Sequence, residues 1–127
     1  MHIADMLNEF HEWLGQPFGH PGNRALRRSL HEEEGQELLD ALDADDEVQI
    51  AQELADVVYV AYGTAHSLGI PLDAVIGEVH RSNMTKFRPD GFTLRGDGKL
   101  LKGPDYVPPD IVGILNDARR REEARRP

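Results

Sequence analysis

Two stretches of this 127-residue chain put carboxylates where apolar side chains are expected. The first is HEEEGQE, residues 31–37, which holds Glu33, Glu34 and Glu37. On a helix turning about 100° per residue, with Leu26 at the origin, Leu30 falls near about 40°, Glu33 near about −20°, Glu37 near about 20° and Glu34 near about 80°. Three acids thus share the stripe of Leu26, Leu30 and Ala41, with Glu33 and Glu37 one turn apart at its centre. The second stretch is QELADVVYVAY, where Glu53 and Asp56 are spaced i, i+3 and Asp56 lies between Ala55 and Val57. Unpaired carboxylates on a core face are costly, or are forced to stay protonated, and clustering like charges adds to the cost.

No neighbouring cation relieves them. Residues 29–80 carry thirteen acidic side chains and no Lys or Arg, whereas residues 81–127 carry seven acids and eleven bases. The net charge of -9 therefore belongs to one central block. A Glu-rich segment alone reads as a solvated helix face. A second acidic pair on an apolar helix, in a block without cations, turns the reading to a bound divalent ion. An all-carboxylate donor set favours hard ions, so Mg²⁺ is expected, with Mn²⁺ as a substitute. Ferritin-like di-iron designs need Glu-x-x-His, and every Glu here lacks that His. A calcium loop starting at Asp43 fails because Val48 and Leu54 occupy its Gly and Glu positions.

Further along, Asn83 and Lys86 continue the helical stripe of Val75, Ile76 and Val79, with Arg81 and Arg88 flanking. A Lys and an Asn beside a metal cluster suit a polyphosphate, whose remaining charge the Lys neutralises. The competing reading has Lys86 reaching out to solvent or pairing with a core acid.

These groups must be positioned by helices. Amphipathic periodicity predicts helices at about 3–14, 23–42, 47–68 and 71–86. Gly15, Pro17, Gly19, Pro21 and Gly22 make the first loop, an acidic turn at Asp43–Asp46 supplies an N-cap, and Gly69 supplies a C-cap. The third helix is apolar on nearly every side, which suits the centre of a bundle or a subunit interface. Residues 91–103 read as a small hairpin around Gly96-Asp97-Gly98, and a last helix starts near Asp110 with an Arg-rich end. The expected fold is all-α: a four-helix core bundle with a short C-terminal β-hairpin arm and a terminal helix. It forms a single domain over 1–127, with its core at about 23–87 and its arm at about 88–127.

The succession E-E-x-x-E (Glu33, Glu34, Glu37), E-x-x-D (Glu53, Asp56) and S-N-M-T-K (Ser82 to Lys86) resembles the all-α nucleoside triphosphate pyrophosphohydrolases. These are the MazG-like enzymes, with phosphoribosyl-ATP pyrophosphohydrolases and dimeric dUTPases as relatives. The similarity extends through AYGTAHSLGIPLDAVIGEVHRSN and DGKLLKGPDYVPPD, covering about 24–112. It implies Mg²⁺-dependent cleavage between the α- and β-phosphates of a nucleoside triphosphate, releasing a monophosphate and pyrophosphate. It implies Glu34, Glu37, Glu53 and Asp56 as metal ligands, and Glu33 as the group that orients or deprotonates the attacking water. Lys86 would act on the phosphates, with Asn83 and Arg88 as further substrate-binding residues. It also implies a homodimer or a dimer of dimers.

Other features narrow the partners. The overall negative charge disfavours a nucleic-acid polymer, no apolar run reaches the roughly 20 residues of a membrane span, and the first residues do not read as a secretory signal. With no cysteine, disulfides and thiolate metal sites are out, and a cytoplasmic protein is expected. Trp13, Phe18, Tyr59, Tyr62 and Tyr106 are read as core or interface, with Phe18 and Tyr106 the first choices for stacking on a base. His31, His66 and His80 read as structural or exposed. Three functions stay open: a house-cleaning triphosphate pyrophosphohydrolase acting on dUTP, dCTP or a damaged nucleotide, phosphoribosyl-ATP hydrolysis in histidine biosynthesis, and a non-enzymatic acidic helical dimer that binds metal or a partner protein.

Overall fold

The computed structural model describes residues 2–20 and 22–125, and these form five helices and no sheet. They are α1 (Ile3–Trp13), α2 (Arg24–Ala44), α3 (Glu47–Leu68), α4 (Leu72–Met84) and α5 (Ile111–Arg125). Pro21 and Arg126, counted above in the first loop and the basic end, lie outside the described residues.

Capping chemistry sets the limits of the two long helices. The Asn23 side chain accepts the Leu26 N–H at 3.0 Å and starts α2. The acidic turn is shorter than expected, because α2 runs on to Ala44 and leaves a link of Asp45 and Asp46. Asp45 sits in the left-handed region at φ 53, and Asp46 accepts the Gln49 N–H at 3.2 Å to start α3. So short a link folds α3 back antiparallel along α2. Gly69, at φ 69, ends α3, and the Ile70 N–H returns to the Ala65 carbonyl at 2.8 Å.

The chain divides into two compact units, Met1–Ile70 and Pro71–Pro127. In the first, α1 and α2 both pack on α3. Leu7, Tyr62 and Ala65 are buried there beside two histidines. The His11 and His66 rings stack at 4.3 Å. His11 Nδ1 is bonded to the Leu7 carbonyl, and His66 spans Asn8 and Gln16. His66 is thus structural, as expected. Leu26, the origin of the helical wheel, is 52% exposed. The inner face of α2 is turned instead toward Arg27, Leu30, Glu34 and Ala41. On α3, Leu54, Val58 and Tyr59 are exposed in the single chain.

In the second unit α4 packs on α5. Glu78 holds the junction: Arg81 grips its carboxylate through two bonds of 2.7 and 2.8 Å, and the Asp110 N–H donates to it at 2.6 Å. Buried Ser82 donates to the Val107 carbonyl at 2.7 Å. Between the two helices lie two isolated antiparallel bridges, Arg88 with Gly91 and Leu94 with Leu100, the second closing a reversal around residues 95–98. No helix among the described residues is long and apolar enough to cross a membrane.

Candidate functional site

The antiparallel return at Asp45 decides which acids meet. Glu37 and Glu53 each stand eight residues from Asp45, and Glu34 and Asp56 each stand eleven. Side chains equally far from the turn lie at the same height on the two helices. Oxygens of Glu34, Glu37 and Glu53 come within 4.8 Å of one another. Glu53 is buried, Glu34 half-buried and Glu37 exposed, so the cluster runs from the helix interface out to solvent. It opens into a cleft of ≈ 450 Å³ that Asp40, Asp46 and Gln49 also line.

The electrostatics of this cluster are unresolved by the protein alone. Burial, then a hydrogen bond and the charge of Glu37, then the charges of Asp56 and Glu34, push the Glu53 carboxyl up to about 7. Burial also raises Glu34, with Glu37 and Asp56 adding to the shift. Glu53 Oε1 receives a long bond of 3.5 Å from Gln49. The second oxygens of Glu34 and Glu53 are buried without a hydrogen-bond partner. Two buried, unpartnered carboxylate oxygens on residues of one acidic cluster are donors of the kind a hard divalent cation takes. The residues present therefore fit such an ion.

Of the acids singled out in the sequence, the fold brings Glu34, Glu37 and Glu53 together. Asp56 is half-buried and acts on Glu34 and Glu53 through its charge, but stands outside that group of three. Glu33 is exposed and also outside it. The wheel centred on Leu26 had placed Glu33 inward and Glu34 at the margin, and the observed rotation reverses them.

Asn83, Lys86 and Arg88 belong to the second unit. Asn83 is exposed in the last turn of α4, and its carbonyl accepts the Lys86 N–H at 3.1 Å. Lys86 is half-buried in the turn beyond α4, because the helix stops at Met84. Arg88 pairs with Asp90 at 3.2 Å and Asp105 at 3.4 Å. Tyr106 lies beneath the Lys102 ammonium, 4.9 Å from ring centre to Nζ. Phe18 meets His66 edge-on and is half exposed.

Sequence reasoning passed over Arg27. Its Nε donates to Thr64 Oγ1 and its Nη2 to the Val60 carbonyl, both at 3.0 Å. The available signal was its spacing of seven residues before Glu34, which puts both on one helix face.

Two long antiparallel helices with facing E-x-x-E and E-x-x-D pairs define the class: all-α nucleotide pyrophosphohydrolases, which typically work with a divalent metal. The family model for phosphoribosyl-ATP pyrophosphohydrolase matches residues 7–83, and the chain belongs to that family, within the MazG-like nucleotide pyrophosphohydrolase superfamily. Members are hydrolases acting on phosphoric anhydrides. The match includes all five acids and Asn83 and ends before Lys86 and Arg88. No curated protein matches the chain.

Proposed function

We propose that the protein hydrolyses a (deoxy)nucleoside triphosphate to the monophosphate and pyrophosphate as a nucleotide-pool house-cleaning enzyme, with dUTP among its candidate substrates. The observation that carries this reading is the pair of orphaned buried oxygens of Glu34 and Glu53 beside Glu37. Glu34, Glu37, Glu53 and Asp56 would hold Mg²⁺, or Mn²⁺ in its place. When bound, that ion supplies charge neutralisation to the phosphoryl oxygens.

The chain's own groups supply the rest. Glu33, exposed next to Glu34, would orient a water and take its proton. Lys86 would neutralise the phosphate charge that grows during cleavage, with Asn83 and Arg88 holding the substrate. Arg88 would exchange at least one of its two carboxylate partners for phosphate. The single domain acts as a homodimer or a dimer of dimers. Leu54, Val58 and Tyr59 on α3 support this, since they are apolar surface that a second copy would cover.

A second reading is favoured by the family model itself: phosphoribosyl-ATP is the substrate, and the chain serves histidine biosynthesis. One assay separates the two. Pyrophosphate release is followed with Mg²⁺ or Mn²⁺ across a panel of common and modified triphosphates that includes phosphoribosyl-ATP. Turnover confined to phosphoribosyl-ATP selects the second reading, and no turnover on any member of the panel rejects both.

A further inference from the structure

Away from the turn, directional side-chain bonds join α2 to α3 at Arg27 and at His31, whose Nε2 lies 2.7 Å from Thr64 Oγ1. Ala41 is the one apolar residue of α2 that is buried among the described residues, while Leu26, Leu39 and Leu42 are exposed. Leu30 and Leu38 are half-buried and add apolar contact, but non-directional packing fixes a sliding position less sharply than a hydrogen bond does. The facing acids Glu34, Glu37 and Glu53 bring like charges together across the pair and do not hold it. The two-residue link at Asp45–Asp46 sets the register at one end of the pair, and a directional contact far from it holds the register at the other.

Arg27 supplies one. It lies eighteen residues before Asp45, and Gly63 lies eighteen after it, the same symmetric relation that pairs Glu37 with Glu53. Its planar fork bonds two oxygens one turn apart on α3, the Val60 carbonyl and Thr64 Oγ1. Gly63 lies between them in sequence and clears the space for the fork. A Cβ at position 63 would stand 2.7 Å from Arg27 Nη2 and 3.3 Å from Cζ. Arg27 forms no ion pair among the described residues, so its geometry is set by these neutral oxygens and not by a surface acid. A slide of one residue, about 1.5 Å along the axis, would break both 3.0 Å bonds.

We infer that Arg27, seated over Gly63, is a positioning residue that fixes the register of α2 on α3 and so assembles the Glu34–Glu37–Glu53 cluster. The inference rests on the reading of that cluster as a divalent-cation site. It assigns Arg27 no contact with substrate.

The test uses the full chain stripped of metal, as wild type, Gly63→Ala and Arg27→Ala. Mn²⁺ binding is followed by electron paramagnetic resonance, with circular dichroism and metal-free Tm on the same samples. Gly63→Ala is the sharper variant, because it keeps the arginine, displaces only its fork, and places a better helix former in α3. Both variants are expected to bind Mn²⁺ roughly tenfold more weakly, the scale on which groups behind metal ligands act. Gly63→Ala should do so without a lower metal-free Tm, which a purely stabilising role would not produce. Should Arg27→Ala fail to fold, Gly63→Ala decides alone. Wild-type Mn²⁺ affinity in a folded variant overturns the inference. So does an Arg27→Ala enzyme changed only in its KM for nucleotide, since that places the guanidinium on substrate. Failure of the wild type itself to bind Mn²⁺ rejects the underlying metal reading, and the inference with it.

Discussion

Glu37 and Glu53 bring their carboxyl groups within 4.8 Å of each other from two antiparallel helices, eight residues on either side of Asp45. After burial, the proximity of Glu37 is the next largest reason Glu53 resists ionisation. Between them they span the buried and open ends of one acidic cluster.

Removing either charge should separate stability from function. In Glu53→Gln and Glu37→Gln, pyrophosphate release is expected to fall by roughly a hundredfold, following the loss of a ligand or its immediate support. The metal-free Tm should rise at pH 8, because one like charge of the cluster is gone, and rise more in Glu53→Gln, where that charge is buried. Paired measurements of turnover and calorimetric Tm check both signs. Full turnover in either variant removes that residue from the ligand set.

Divalent ions should stabilise the folded chain. An ion that binds only the native state adds about 2.7 kcal/mol at a hundred times its Kd. A thermal melt in millimolar Mg²⁺ or Mn²⁺ should therefore lie above the melt in chelator. An identical Tm in both would count against the carboxylate cluster as a cation site.

Stability without metal should depend on pH through Glu53. Its folded pKa of about 7 lies above the ordinary 4.5, so the native state holds the proton more tightly than the unfolded one. The stabilisation from this group is complete below about 4.5 and is lost as pH rises through about 7. Metal binding displaces that proton, so Mn²⁺ affinity should increase over the same interval. Mn²⁺ titrations and chelator-treated melts between pH 5 and 8 measure the two slopes, which should have opposite sign.

Glu78 should show the reverse dependence. The Arg81 guanidinium, then the Asp110 N–H, hold its carboxyl down at about 2. Its contribution is present above the ordinary 4.5 and fades as pH falls toward 2. The Tm difference between wild type and Glu78→Gln should therefore shrink as acid is added below that ordinary value. A difference that is constant over that range would show that the Arg81 grip contributes nothing to folding.

The start of α2 offers a purely structural check. Asn23→Ala removes the acceptor of the Leu26 N–H and should cost about 1 kcal/mol by urea unfolding, with Mn²⁺ affinity unchanged.

Much of this protein is legible along the chain because helices announce themselves locally. Asp45 or Asp46 as an N-cap, Gly69 as a C-cap and the apolar period of residues 47–68 mark α3 without any knowledge of what it packs against. The acids of α2 and α3 stood out for the same reason: carboxylates in an apolar context, in a block without cations, conflict with simple burial. The small errors fell where local signals tie. Asp43 and Ala44 extend α2 as readily as they begin a turn, and α4 stops two residues before Lys86.

The sequence by itself determined the helices, the acidic character of the central block and the residue types available to hold a divalent ion. It left open the rotation of α2 about its axis, because Leu26 and Leu30 define a stripe that several angles satisfy. Only the tertiary structure decided that Glu34 turns inward and Glu33 outward. The two-residue link at Asp45–Asp46 and the seating of Arg27 over Gly63 accompany that choice. Neither relation is local: residues that meet across α2 and α3 are up to 37 positions apart. Their meeting depends on register and rotation between two rigid cylinders, which no periodicity within either helix can encode.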